Sequence, residues 1–172
     1  MKSRAIKVVG CFILLLVLAI FLFWIFRFIL PSEIDDVSPD IACPVGAIEK
    51  SDVLWVIPKF GGHAISENPD WCNYILSLDK DIGMHGVVHS YLEFNETRSE
   101  EYLMEGVRIF EECFGFKPEK FKPPQLRINE ENIRLVEENG MDVKTRFNQV
   151  TRKVYHCNDG PEIFSNDVIG VI

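Results

Sequence analysis

Hydrophobic positions divide the chain into two unlike parts. The 19 residues from Val8 to Phe26 carry no charge. A helix of this length, rising about 1.5 Å per residue, just spans a hydrocarbon core of roughly 30 Å. Since the run is apolar on every side, it differs from the one-sided helix of a soluble domain. Beyond residue 30, short apolar runs alternate with amphipathic segments, which predicts a folded domain over residues 31–172.

The residues around the apolar run predict its orientation. Residues 1–7 form a basic tail with Lys2, Arg4 and Lys7, and positive charge before a first span favours a cytoplasmic N-terminus. A cleaved signal peptide has a shorter apolar region and small residues at its cleavage site, and residues 26–31 contain no small residue. We therefore predict an uncleaved signal anchor over residues 8–30. It passes once through the cell membrane and leaves the domain on the extracytoplasmic side.

Within the domain, the periodicity predicts an alternation of strands and helices. Helices are expected at residues 69–78, 99–114 and 129–139, and strands at residues 34–37, 52–58, 81–88, 116–124, 141–147, 150–157 and 167–172. Strands that alternate with helices predict an α/β fold with a parallel sheet. In such folds the functional residues gather at the carboxyl ends of the strands.

The charge of the domain restricts its partners. The net charge of the chain is −8, but residues 1–30 hold four basic residues and no acidic one, so residues 31–172 carry a net charge of −12. A surface of this sign repels nucleic acid and anionic lipid. We therefore expect neutral or cationic partners, such as carbohydrate, metal ions or another protein, and no nucleic acid.

Four of the five cysteines fall in the domain, namely Cys43, Cys72, Cys113 and Cys157. Outside the reducing cytosol, an even number of cysteines permits two disulfides, with three possible connectivities. Free buried thiols are the alternative. No Cys-x-x-Cys spacing occurs, which disfavours a zinc knuckle.

Carboxylate and imidazole side chains stand near the predicted strand ends. Asp35 and Asp36 belong to the first strand, His85 and His89 to a later one, and Lys122 precedes two prolines. Two histidines four positions apart can point the same way from one helical turn or a tight loop. With a carboxylate they provide three protein ligands, which leaves one position of a catalytic metal open to water. The alternative is that the acids shape a turn and the histidines are structural.

These residues lie in three ordered motifs. The motifs are Asp-Asp-Val-Ser-Pro at residues 35–39, Gly-Met-His-Gly-Val-Val-His at residues 83–89 and Phe-Lys-Pro-Pro at residues 121–124, with a Glu-Phe pair at residues 93–94 that we expect to anchor a loop. They resemble the first three motifs of polysaccharide deacetylases, and more closely an uncharacterised prokaryotic branch of deacetylase-like proteins. The resemblance covers about residues 33–172. It implies a distorted (β/α) barrel and metal-dependent removal of N-acetyl groups from a carbohydrate.

The resemblance also implies roles for individual residues. Asp36, His85 and His89 would hold a divalent metal ion, and Asp35 would be the general base. Zinc suits these ligands best, with cobalt, nickel or iron as alternatives. Lys122 stands where the family often has an arginine that orients the base, and lysine lacks the planar fork of arginine. From the residues alone, Lys122 either forms an ion pair with Asp35 or is a plain surface charge.

After Gln125 the sequence departs from the family pattern. The family uses a further histidine as general acid, and His156 is the one histidine that remains downstream, in a different context. The chain ends at Ile172, which predicts an incomplete barrel whose open edge invites a homo-oligomer or a partner chain. The alternative function is therefore a truncated, catalytically inactive domain that is displayed at the surface and binds carbohydrate or protein.

Overall fold

A computed structural model describes residues 2–44 and 46–157 of the chain. The chain divides into two compact units between Leu30 and Pro31. The first unit contains helix α1 (Lys2–Ile29). Its segment Val8–Ile29 has 22 residues, and an 18-residue stretch of this segment has a mean hydropathy of 3.1 and no buried residue. By length and composition this helix suits a membrane anchor or a signal sequence.

The second unit alternates strands and helices along the chain. Its elements are β1 (Glu33–Val37), α2 (Ala47–Lys50), β2 (Val53–Val56), β3 (Lys59–Phe60), β4 (His63–Ala64), α3 (Pro69–Ser77), β5 (Asp81–His85), α4 (Glu100–Phe114), β6 (Lys120–Lys122), α5 (Glu130–Glu138), β7 (Asp142–Val143), α6 (Arg146–Thr151) and β8 (Val154–His156). Short 3-10 turns occupy Ile65–Glu67 and Pro124–Leu126. This alternation confirms the predicted α/β class.

Six strands form one parallel sheet in the order β7-β6-β5-β2-β1-β8, and β3 and β4 form a separate antiparallel hairpin. From β1 to β7 the neighbours in the large sheet follow the order of the chain, as they do in a (β/α) barrel. Strand β8 returns to the other side of β1. Among the described residues β7 and β8 do not pair, so the sheet stays open between them.

Local signals account for the two strongest helices. The Ser99 hydroxyl accepts the N–H of Tyr102 at the start of α4, and Gly115 adopts a left-handed conformation at its end. The side chain of Asn129 caps α5 in the same way, by accepting the N–H of Asn132. The buried face of α4 packs into the core with side chains such as Leu103, Val107 and Phe110. Both helices match the predicted ranges to within a residue.

Several predicted strands are shorter than expected or fall outside the described residues. The strand expected at residues 116–124 is limited to Lys120–Lys122, and the one expected at residues 81–88 ends at His85. The strand expected at residues 141–147 is limited to Asp142–Val143, because its partner β6 is short and the two strands share only two register pairs. Helix α6 begins at Arg146 and extends to Thr151. It therefore covers the start of the strand expected at residues 150–157, which is limited to Val154–His156. The strand expected at residues 167–172 falls outside the described residues.

Two disulfides decide between the alternatives that the cysteines left open. Cys72 and Cys113 join α3 to α4, and Cys43 and Cys157 join the loop after β1 to the residue that follows β8. The second bond connects positions 114 residues apart. It therefore holds the end of the described chain beside the first strand.

Candidate metal centre

The two acids are adjacent in β1 yet line the same cleft. Neighbouring side chains of a regular strand point to opposite faces of the sheet. Here the register of β1 on β2 shifts between Ile34 and Val37, and Asp36 adopts a left-handed φ of 63°. This irregularity turns both carboxylates towards one cleft. A non-glycine residue in this conformation costs on the order of 1–3 kcal/mol and is typical of functional sites.

The two histidines are held by a loop that one buried carboxylate shapes. His85 ends β5, and His89 follows in a loop with a left-handed φ of 58°. The Glu93 carboxylate accepts the N–H groups of Val87 (2.8 Å), Val88 (3.1 Å) and His89 (2.8 Å). Because three backbone donors converge on one buried charged group, the loop has a single preferred shape. The expected anchoring role of Glu93 is confirmed.

The first turn of this loop requires glycine. Gly86 has a φ of 65°, and a Cβ atom at this position would lie 2.5 Å from Oε2 of Glu93 and 2.6 Å from Pro124. Tyr102 closes the other side of Glu93 by donating its hydroxyl to Oε1 at 2.7 Å. Burial, followed by this hydrogen bond, raises the pKa of Tyr102, so the hydroxyl keeps its proton and remains a donor.

The candidate ligand atoms converge on one point. The Nε2 atoms of His85 and His89 lie 3.4 Å and 2.8 Å from Oδ1 of Asp36, and the ligand atoms of the three residues all lie within 4.8 Å of one another. Ligands about 2.0–2.1 Å from a tetrahedral zinc ion are about 3.3 Å apart. Oδ1 of Asp36 is buried and has no partner with hydrogen-bond geometry. The three residues therefore fit a divalent cation.

The ring of His85 is held in the orientation that a ligand needs. Its Nδ1 lies 2.8 Å from the backbone carbonyl oxygen of Lys122. Since a carbonyl can only accept, Nδ1 carries a proton, which leaves Nε2, on the side of Asp36 and His89, as the nitrogen that would bind a cation. A backbone carbonyl behind a metal-binding imidazole is a common way to fix its tautomer.

The three residues perturb one another's protonation. Burial by itself raises the pKa of Asp36, but the contacts with His85 and His89 outweigh it and hold that pKa far below its usual range. Burial by itself lowers the pKa of His89, and the contact with Asp36 and the charges of the surrounding carboxylates reverse this and raise it. Asp36 is therefore ionised, and a proton on His89 is favoured whenever no cation takes its place.

Asp35 and Lys122 form a buried ion pair beside these ligands. The Nζ atom of Lys122 lies 2.7 Å from Oδ1 of Asp35. The lysine is fully buried and Asp35 is 3% exposed. The alternative that Lys122 is a surface charge is therefore wrong, because β6 pairs with β5 and places Lys122 opposite His85 in the sheet. The other carboxylate oxygen of Asp35, Oδ2, lies 3.6 Å from Nε2 of His156.

A cleft of about 290 Å³ unites these groups. Its walls include four of the five candidate site residues, namely Asp35, Asp36, His85 and His89, together with His156 from β8 and the loop residues Pro123, Gln125 and Leu126. Its volume is near the lower end of the range for small-molecule sites. The structure thus brings together, in one cleft or directly behind it, every site residue that the sequence motifs singled out.

The sequence motifs missed one residue behind the site. Glu33 is fully buried and its Oε2 lies 3.3 Å from Nζ of Lys122. Residues two apart in a strand share a face, so the position of Glu33 before Asp35 was the available signal. Nothing in the local sequence pointed to Lys122 as its partner, since the two are 89 residues apart.

Comparison with known proteins finds a deacetylase-like relative. No family model matches the chain. A peptidoglycan deacetylase-like protein from Gibberella zeae is 27% identical over 126 residues, which cover 73% of this chain and 35% of that protein. The chain therefore spans about a third of the length of the curated relative that it matches.

Among solved structures, the chitin deacetylase of Colletotrichum lindemuthianum matches with a TM-score of 0.48 and 12% identity, over 81% of this chain and 74% of that chain. A CE4 family pseudoenzyme from Bacillus anthracis matches with a TM-score of 0.49 and 14% identity, over 62% of this chain and 45% of that chain.

Proposed function

We propose that this chain carries the metal-binding part of a metal-dependent carbohydrate deacetylase. The observation that supports the proposal is the convergence of Asp36, His85 and His89 in one cleft with the buried Asp35–Lys122 pair. The deacetylase-like relative agrees with it. The reaction is hydrolysis of the amide bond of an N-acetylated sugar, which releases acetate and leaves a free amine.

In this proposal Asp36, His85 and His89 hold the cation. Zinc suits one carboxylate and two imidazoles, and cobalt, nickel or iron are the alternatives. A divalent cation supplies Lewis acidity, which polarises an amide carbonyl and lowers the pKa of water from 15.7 towards about 7. The buried orientation of Oδ1 of Asp36 and the fixed tautomer of His85 prepare the donor atoms before any ligand arrives.

Asp35 serves as the general base that accepts a proton from the attacking water. Its Oδ1 is paired with Lys122 at 2.7 Å, which leaves Oδ2 on the side of His156. An ionised carboxylate within hydrogen-bond reach of a water meets the requirement for this role. Lys122 orients Asp35 with a single point charge in place of a planar fork. His156, which lines the same cleft, would return a proton to the leaving amine.

The acidic domain and the apolar helix suggest where this chemistry takes place. A net charge of −12 over residues 31–172 favours a neutral glycan over nucleic acid. Helix α1 would anchor the chain in the cell membrane, with the basic tail in the cytoplasm and the domain outside. The sheet edges at β7 and β8 would accept a partner chain or a second copy.

The test uses the full chain in mild detergent and measures bound metal and acetate release from N-acetylated oligosaccharides. We expect close to one metal ion per chain, and loss of both metal and acetate release in the His85→Ala/His89→Ala double variant. A Glu105→Gln variant is the control, because Glu105 pairs with Lys59 away from the cleft. Metal-loaded protein that is inert across a broad panel of acetylated sugars would contradict the proposal.

The open sheet favours one alternative function. With no pairing between β7 and β8 among the described residues, the domain would bind carbohydrate or protein without turnover. This alternative predicts glycan binding that a chelator leaves unchanged. Hydrolysis that a chelator abolishes would exclude it.

A further inference from the structure

Among the described residues, the carboxylate with the most side-chain contacts belongs to Glu33, which has no part in the proposed chemistry. Its side chain is fully buried in β1. Its Oε2 accepts hydrogen bonds from Nε1 of Trp55 at 2.8 Å and from Nζ of Lys122 at 3.3 Å. On the outer side, Nδ2 of Asn148 lies 2.8 Å from both oxygens, and a guanidinium nitrogen of Arg152 lies 3.0 Å from Oε1.

The contact between Glu33 and Lys122 affects Asp35, the proposed general base. Lys122 lies between two carboxylates, with Nζ at 2.7 Å from Oδ1 of Asp35 and at 3.3 Å from Oε2 of Glu33. A lysine ammonium is a point charge with three rotatable donors on a flexible stem. A second carboxylate on the far side removes this freedom. It therefore fixes the direction from which Lys122 approaches Asp35.

The contacts of Glu33 with Asn148 and Arg152 affect the edge of the cleft. Asn148 belongs to α6, and Arg152 lies between α6 and β8. The backbone N–H of Glu33 also donates to the carbonyl of Lys153 at 2.8 Å. One side chain thus ties the segment that leads into β8 to the first strand. Strand β8 is the element that places His156 beside Asp35.

We propose that Glu33 is a positioning residue that fixes the Asp35–Lys122 pair and the edge of the cleft that carries His156. It touches no atom of the cleft itself and acts through Lys122 and the residues before β8. Its effect on turnover rests on the proposed function. Its effect on Lys122 does not, and can be measured in a protein without activity.

The first measurement is the rate at which an acetylating reagent modifies Lys122 in the full chain, followed by mass spectrometry. We compare the parent with Glu33→Gln and with the control Glu105→Gln, which removes a carboxylate from the surface pair with Lys59. Replacement of the carboxylate by a neutral amide removes the ion pair between Glu33 and Lys122. Loss of a charged partner corresponds to about tenfold in the population of the released lysine. We therefore expect modification of Lys122 to rise about tenfold in Glu33→Gln and to stay at the parent rate in the control.

The second measurement separates positioning from general destabilisation. In steady-state hydrolysis we expect Glu33→Gln to lower kcat about tenfold at unchanged KM. The double variant Glu33→Gln/Lys122→Met should be no slower than Lys122→Met alone, because Glu33 acts through Lys122. A merely structural role would instead make the two losses multiply.

Two results would overturn the proposal: unchanged modification of Lys122 in folded Glu33→Gln, or multiplied kcat losses in the double variant.

If Glu33→Gln does not fold, Glu33→Asp serves in its place, because it keeps the charge and withdraws the carboxylate by one carbon–carbon bond. A rise in Lys122 modification above the control then supports the proposal, and no rise overturns it. A parent that binds no metal and releases no acetate refutes the proposed function, while the modification of Lys122 still tests Glu33.

Discussion

Replacement of Glu93 by glutamine tests the claim that one buried carboxylate shapes the histidine loop. Oε1 of Glu93 accepts the N–H groups of Val87 and Val88 and the hydroxyl of Tyr102, and Oε2 accepts the N–H of His89. A glutamine side chain has only one acceptor oxygen. Its NH₂ group, a donor, must therefore face either the donors at Oε1 or the donor at Oε2. The smallest loss puts the NH₂ group opposite His89, where two donors then face each other.

The magnitude follows from these contacts. An unsatisfied buried donor costs about 1–3 kcal/mol, and the remaining bonds lose the extra strength that a charged acceptor provides. We expect Glu93→Gln to lower the free energy of unfolding by about 3 kcal/mol. For a domain of this size that corresponds to a fall in Tm of roughly 10 °C.

The substitution should also weaken metal binding. The contact that is lost first holds His89, whose left-handed backbone relies on the surrounding loop. Loss of a group that orients a ligand typically costs about 10–100-fold in metal affinity. Thermal unfolding of the full chain in detergent, followed by tryptophan fluorescence, measures the change in Tm. Competition with a chromophoric chelator measures the change in metal affinity.

Glu105→Gln provides the matched control, because it makes the same chemical change in a partly exposed pair with Lys59. A surface pair of this kind contributes about 0–1 kcal/mol, so the control should unfold and bind metal like the parent. The reasoning fails if Glu93→Gln keeps the Tm and the metal affinity of the control.

Three further predictions concern the disulfide, the protonation of the site and the packing behind it. The Cys43→Ser/Cys157→Ser variant should lose roughly 3–5 kcal/mol of stability, since the bond closes a loop of 114 residues; a Tm equal to that of the parent would contradict this. Because the pKa of His89 is raised when no cation is bound, protons compete with metal below that pKa, and the apparent metal affinity should fall by about tenfold for each pH unit there. A chelator-competition series at several pH values measures this, and a flat profile from alkaline to mildly acidic pH would show that His89 is not a ligand. Gly83→Ala should cost roughly 1–3 kcal/mol in thermal unfolding, because its Cβ atom would lie 2.4 Å from the ring of Trp55; unchanged stability would show that the ring can move.

The alternation of strands and helices was predictable from the sequence because its signals are local. The hydroxyl of Ser99, the side chain of Asn129 and the left-handed Gly115 mark helix ends within a few residues of the bonds they make. The convergence of Asp36 with His85 was also predictable, since parallel strands bring their carboxyl ends to one edge of a sheet. Where the signal was weak, as in the short β7, the prediction extended the strand too far.

The pairings across the fold were decided by the tertiary structure alone. The sequence left Lys122 undecided between surface and ion pair, and packing of β6 beside β5 buries its ammonium against Asp35, 87 residues away. The same holds for Glu33, for the partner of each cysteine, and for the bulge that turns both acids of β1 to one cleft. Local propensity depends on neighbours in the chain, whereas the partner of a buried charge depends on which distant segments exclude water together. The sequence therefore identified the candidate groups of the site, and the folded sheet decided which of them meet.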